Sequence, residues 1–159
     1  AVLDSDDSWD PNHLSQSLRV FGNNDRLVLV SSGIRLTGLV PGSSSSTRFP
    51  RRYFPKAGLV FSNHVAHSAA VYRRGLAAEL GGYPEEVRIG EDYCLWLAMA
   101  RRGDIAGIAL SSANYRVHAG QTSRLKIDER SKTEMNLRRR RLANFLVKGL
   151  LGWCGARGV

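Results

Sequence analysis

Residues 93–102, Tyr-Cys-Leu-Trp-Leu-Ala-Met-Ala-Arg-Arg, would be apolar on nearly every side if they formed a helix. A helix on a protein surface shows an apolar stripe and a polar face, so one this uniform must be buried on most sides. The rest of the chain supplies the layers. Residues 26–31, Arg-Leu-Val-Leu-Val-Ser, are predicted as a strand and 34–40 as a second. Two short strands are expected at 105–110 and 113–117. Residues 1–3 read as the end of a buried strand, and Pro11 is placed to open a helix over 11–20. Residues 65–72 mix strand and helix signals. Residues 73–80 are helical, with Gly81-Gly82 as the C-cap, and 128–147 form a long basic helix. Residues 42–47, Gly-Ser-Ser-Ser-Ser-Thr, read as a flexible loop, followed to residue 56 by a basic, irregular segment. Strands alternating with helices define an α/β class.

At 159 residues and 43% hydrophobic, the chain is one domain or part of a larger one. It has no apolar run of about 18 residues, so no spanning helix is expected. Its two cysteines, Cys94 and Cys154, make neither a disulfide framework nor a zinc spacing, which points to a reducing, cytoplasmic setting. The start, Ala1-Val2-Leu3, is neither an initiator Met nor a signal peptide, and reads as cut from a longer chain. The net charge of +9 is uneven. Acids gather at 4–10 and 85–92, bases at 48–56 and 138–141. Such a balance suits a protein that meets polyanions and holds a metal.

Three segments carry candidate chemistry. In Leu3-Asp4-Ser5-Asp6-Asp7-Ser8-Trp9, Asp4, Asp6 and Asp7 fall within four positions. Carboxylates so close repel one another unless a cation sits among them. Hard divalent ions take such oxygen ligands and bridge them to substrate phosphates. The bland alternative is an Asx turn running into a capped helix. Glu91-Asp92 stands at the head of the apolar helix, where acids complement the helix dipole. Burial there would also raise a carboxyl pKa, as a general base requires. His118 follows a strand and precedes a glycine turn. Alone it is an ordinary hydrogen-bonding residue; beside a carboxylate cluster, it is a credible metal ligand. His64, His67 and Arg73 carry no signal of their own.

Taken in order, five segments resemble the bacterial family 2 glycosyltransferases with a GT-A fold. They are Leu3-Asp4-Ser5-Asp6-Asp7-Ser8-Trp9 with Pro11 and Leu14, His67-Ser68-Ala69-Ala70-Val71-Tyr72-Arg73-Arg74, Gly81-Gly82-Tyr83-Pro84-Glu85, Glu91-Asp92-Tyr93-Cys94-Leu95-Trp96-Leu97, and Tyr115-Arg116-Val117-His118 through Ser123. The resemblance covers residues 1–125, with 126–159 as a basic amphipathic helical tail. It implies an α/β/α sandwich with a mixed sheet, here lacking its N-terminal strands and most of the nucleotide pocket. It implies inverting transfer from a nucleotide-diphosphate sugar to a glycan or lipid-linked glycan in cell-envelope polysaccharide synthesis. Asp4, Asp6 and Asp7 would bind on the donor side, and Asp6, Asp7 and His118 would hold Mn²⁺ or Mg²⁺. Asp92 would be the base, oriented or replaced by Glu91, and Trp96 would pack the helix. With an edge and an apolar face uncovered, the chain alone is expected to be a weak or inactive enzyme of marginal stability.

Two other readings compete. An Asp-x-Asp phosphohydrolase would need a lysine and a second acidic pair, and leaves the Gly-Gly-Tyr-Pro and Glu-Asp segments unexplained. A non-catalytic module for anionic membrane or polyanion would rest on residues 131–151, where Leu137, Leu142, Phe145, Leu146, Leu150 and Leu151 interleave with Arg138, Arg139, Arg140 and Arg141. Nucleic acid is not expected, because aromatics are few and stand apart from the basic patch. The same interleaving suggests peripheral attachment at the inner face of the plasma membrane.

Overall fold

The computed structural model describes residues 1–22, 24–38, 47–48, 57–118, 120 and 128–155. The loop expected over 42–47 and the basic segment to residue 56 lie outside these residues, apart from 47 and 48. So do Gln121, Thr122 and Ser123.

Two long strands, β2 (Leu27–Thr37) and β5 (Asp104–Arg116), pair in parallel at the centre of a mixed sheet. β1 (Ser8–Trp9) lies antiparallel outside β5. β3 (Thr47–Arg48) and β4 (Ala70–Tyr72) lie antiparallel to β2 at different heights along it. Residues 27–33 of β2 are all buried. Because successive side chains of a strand point to opposite faces, both faces of the sheet are covered there, as an α/β architecture requires.

Each predicted pair of strands is one strand. The Ser31-Ser32-Gly33 stretch, which reads as a break, keeps its ladder and absorbs register shifts on both sides of Gly33. Residues 104–116 likewise run through without a stop.

The helices are α1 (His13–Phe21), α2 (Gly58–Phe61), α3 (Arg74–Glu79), α4 (Glu91–Ala100) and α5 (Glu129–Gly155). Pro11 does not open α1; it stands in the turn before Asn12, the N-cap residue. Gly81 and Gly82 do close α3, with φ of 87° and 69°. Their N–H groups bond to Ala78 O at 3.0 Å and Ala77 O at 2.9 Å.

The apolar helix is buried as its composition demands. In α4 only Glu91, Asp92 and Ala98 escape full burial. Trp96, 0% exposed, centres the main core with Leu29, Leu59, Leu95, Leu97 and Met99. Burying each such side chain contributes about 1.5–3 kcal/mol. Leu142 of α5 is also 0% exposed and belongs to the same cluster, so the basic helix packs onto the body of the protein.

Residues 1–3 are not a strand. Val2 N–H reaches Ala70 O at 3.4 Å, but no ladder follows, and Leu3 is 43% exposed. The chain turns at once, with Asp7 N–H bonded to Asp4 O at 3.1 Å. The acidic segment therefore occupies a tight turn ahead of β1 rather than the end of a strand.

Candidate active site

The acidic turn is held on two sides. On one, Asp4 accepts from Ser68 Oγ through Oδ2 at 3.1 Å and lies 2.9 Å from His67 Nδ1 through Oδ1. Its N–H in turn donates to Ser68 Oγ at 3.2 Å. On the other, Asp7 Oδ1 accepts the Arg116 N–H at 2.9 Å, and Asp6 Oδ2 lies 2.9 Å from His118 Nε2. The His118 hydrogen bond is the main cause that holds the Asp6 carboxyl below its ordinary pKa. Just beyond, Arg35 clamps the exit of the turn. Its guanidinium bonds Asp10 at 3.3 Å, Asn114 Oδ1 at 2.5 Å and Ser111 O at 2.9 Å. β1, β2 and β5 are thereby joined beneath the acidic turn.

The second carboxylate pair sits where α4 begins. Gly90 caps the helix with φ of 89°, a backbone state suited to glycine. A Cβ there would also stand 2.7 Å from Met135 Sδ. Glu91 and Asp92 follow in the first turn. Asp92 Oδ1 accepts the Tyr93 N–H at 2.6 Å, and Oδ2 faces Asn63 Nδ2 at 3.4 Å. Desolvation dominates the environment of Asp92 and raises its pKa. The Tyr93 bond and the His67 imidazole oppose that rise, and Glu91 adds to it.

The structure joins Asp6 to His118 and places Asp7 on the backbone two residues before it. It ties Asp4 instead to His67 and Ser68, with both carboxylate oxygens engaged. No hydrogen bond among the described residues joins Glu91 or Asp92 to the acidic turn. The element between them is His67, which bonds Asp4 and acts electrostatically on Asp92. Sequence reasoning passed over His67, because a contact across 63 positions leaves no local mark.

Does this donor set suit a divalent ion? Asp7 Oδ2 is buried and has no hydrogen-bond partner among the described residues. An unpaired buried carboxylate oxygen is costly, and a cation is one ordinary remedy. Among the described residues no three His, Cys, Asp or Glu side chains converge on one point. A small hard ion bridged to phosphate needs only one or two carboxylates and no protein cage. The residues present fit such an ion.

The α/β chain with its mixed sheet has a GT-A-like fold. No protein-family model matches the chain. It is similar to a protein described as "Uncharacterized glycosyltransferase" from Rickettsia bellii (strain RML369-C), 27% identical over 139 residues, which are 86% of this chain and 20% of that protein. In structure it resembles S. aureus TarS 1-349, solved in complex with UDP-GlcNAc. The TM-score is 0.64 at 14% identity, over 86% of this chain and 40% of that one. That likeness is one of fold. The chain spans a fifth of the length of the curated relative.

Proposed function

We propose that these residues carry the sugar-transfer site of an inverting, metal-dependent, hexosyltransferase-type family 2 glycosyltransferase, which takes a nucleotide-diphosphate sugar as donor and a hydroxyl of a glycan or lipid-linked glycan as acceptor. One observation carries the reading. A carboxyl of raised pKa, Asp92, stands at the head of a buried helix, and His67, whose charge acts on it, bonds an acidic turn in which Asp7 Oδ2 is buried with no partner among the described residues. The two relatives support the same reading, one by its description and one by the UDP-GlcNAc it holds.

In this mechanism Asp92 takes the proton of the acceptor hydroxyl as that oxygen attacks the anomeric carbon. The bond to the nucleotide diphosphate breaks on the opposite face, which inverts the centre. The raised pKa brings the base nearer to neutral pH, where proton transfer is most effective. Glu91 orients the same hydroxyl or the base. Asp7, whose Oδ2 has no partner among the described residues, would hold Mn²⁺ or Mg²⁺ with Asp6 beside it, and as a Lewis acid the ion would offset charge on the departing diphosphate. The expected third ligand, His118, does not converge with them and would act through its bond to Asp6. Asp4 acts on the donor side by holding the turn.

We extend the proposal to the outer side of α5, where Leu137 and Phe145, 42% and 43% exposed, stand among the exposed Arg140 and Arg141. This surface suits an anionic membrane next to a lipid-linked acceptor, at the cytoplasmic face. No helix among the described residues is long and apolar enough to cross a membrane.

The test is calorimetric binding of UDP-GlcNAc with Mn²⁺, paired with an assay of nucleotide release, with each substitution made in the longer parent chain that the sequence reading expects. Asp7→Ala is expected to weaken metal-dependent binding at least about tenfold. Asp92→Asn should leave binding intact and lower turnover about 10²–10⁴-fold. Equal affinity in wild type and Asp7→Ala would refute the donor-side assignment.

A further inference from the structure

From the acidic turn to β4 runs a chain of four side chains. Tyr72 and Tyr83 hydroxyls are 3.1 Å apart, Tyr83 Oη is 3.1 Å from His67 Nε2, and His67 Nδ1 is 2.9 Å from Asp4 Oδ1. Donor and acceptor capacities fix the end of the chain at Asp4. A carboxylate only accepts, so His67 donates from Nδ1. With the imidazole neutral, Nε2 accepts from the Tyr83 hydroxyl, whose oxygen accepts from Tyr72; with it protonated, Nε2 donates to Tyr83 and the tyrosine bond reverses. Bonds aligned head to tail polarise and strengthen one another.

The imidazole is also fixed sterically. Tyr83 meets it edge-on at 5.6 Å between ring centres, and the fully buried Trp96 lies 6.5 Å away. Trp96 belongs to α4, the helix that presents Asp92. His67 thus touches the acidic turn with one nitrogen and stands against the α4 layer with its ring. Tyr83 and Tyr72 anchor its other nitrogen to the turn after α3 and to β4.

We propose that His67 is a positioning residue of the transfer site: it fixes the donor-side acidic turn, through Asp4, against the helix that carries Asp92. Holding the leaving-group side and the attacking side in one geometry is what an effectively intramolecular transfer requires. The inference rests on the sugar-transfer reading. His67 itself touches no reacting atom.

The experiment compares His67→Ala with His67→Asn, whose amide places a donor where Nδ1 stands. Amide exchange is followed in residues 4–7, where the Asp4 and Asp7 N–H groups are bonded, and in 27–33 as an internal control. UDP-GlcNAc binding with Mn²⁺ and nucleotide release are measured alongside. In His67→Ala, exchange at 4–7 should rise at least tenfold with 27–33 unchanged. Donor affinity should fall about tenfold, and His67→Asn should recover both to within threefold.

Unchanged exchange at 4–7 in His67→Ala overturns the proposal whatever the donor does. Raised exchange with donor affinity and turnover unchanged also overturns it, since His67 would then be structural only. If the wild-type parent chain binds no UDP-GlcNAc, the transfer reading fails and takes the positioning role with it, while the exchange result still reports whether His67 holds the turn. If His67→Ala loses protection across 27–33 as well, His67→Gln is set against His67→Asn. Equal protection of 4–7 in those two refutes the role of the Nδ1 donor.

Discussion

Replacing Asp92 with asparagine should stabilise the fold while removing its chemistry. An unfolded aspartate titrates near 3.9. In the folded chain desolvation raises Asp92 above that value, against the Tyr93 N–H and the His67 imidazole. Between the unfolded and folded pKa values the native state therefore binds more protons. Stability then falls as pH rises, and it levels off once pH passes the folded pKa. Asparagine carries no such penalty. It keeps the acceptor for the Tyr93 N–H, now 2.6 Å from Asp92 Oδ1. The melting temperature of Asp92→Asn minus that of wild type should thus grow from pH 4 upward and reach a plateau near neutrality. Each unit of upward displacement adds about 1.4 kcal/mol, which is about 3–6 °C for a chain of this size. Scanning calorimetry at half-unit steps from pH 4 to 8 measures it directly. A difference independent of pH, or one that widens toward acid, would show that Asp92 is not held in a desolvating site. A gain in stability with loss of turnover would place Asp92 among residues kept at a cost to the fold.

Two further outcomes follow. At Gly103, a Cβ would stand 2.1 Å from Val28 Cγ1 and 2.5 Å from Arg26 O. Gly103→Ala should cost about 1–3 kcal/mol by overpacking, and an unchanged urea midpoint would refute that packing. On α5 deletion is uninformative, since Leu142 is part of the core. Substituting both Arg140 and Arg141, which make no ion pair among the described residues, with glutamine should instead weaken flotation with phosphatidylglycerol vesicles. About 1 kcal/mol per charge gives ~30-fold for the pair, and undiminished flotation removes the membrane assignment.

How much of this was legible in the sequence differs from element to element. The burial of α4 was legible because an all-round apolar helix has no other stable place. The end of α3 at Gly81-Gly82 was legible because left-handed φ values favour glycine. The acidic segment at 4–7 announced charge crowding, and Glu91-Asp92 announced a helix head. Strand continuity was not legible: Ser-Ser-Gly at 31–33 carries a turn signal, and only pairing with β5 and β4 keeps those residues extended. Nor was the place of residues 1–3, where a short apolar run meets a turn before it can pair.

By itself, then, the sequence determined the layered α/β class, the buried helix and the two acidic segments, because propensity and periodicity act over neighbouring residues. Tertiary structure alone decided the partners of those acids. It seated Asp4 on His67 and Ser68, turned Asp6 to His118, and left an Asp7 oxygen buried with no partner among the described residues. Those contacts join residues 63 to 112 positions apart. These hydrogen bonds depend on distance in space, which no local pattern of residues encodes.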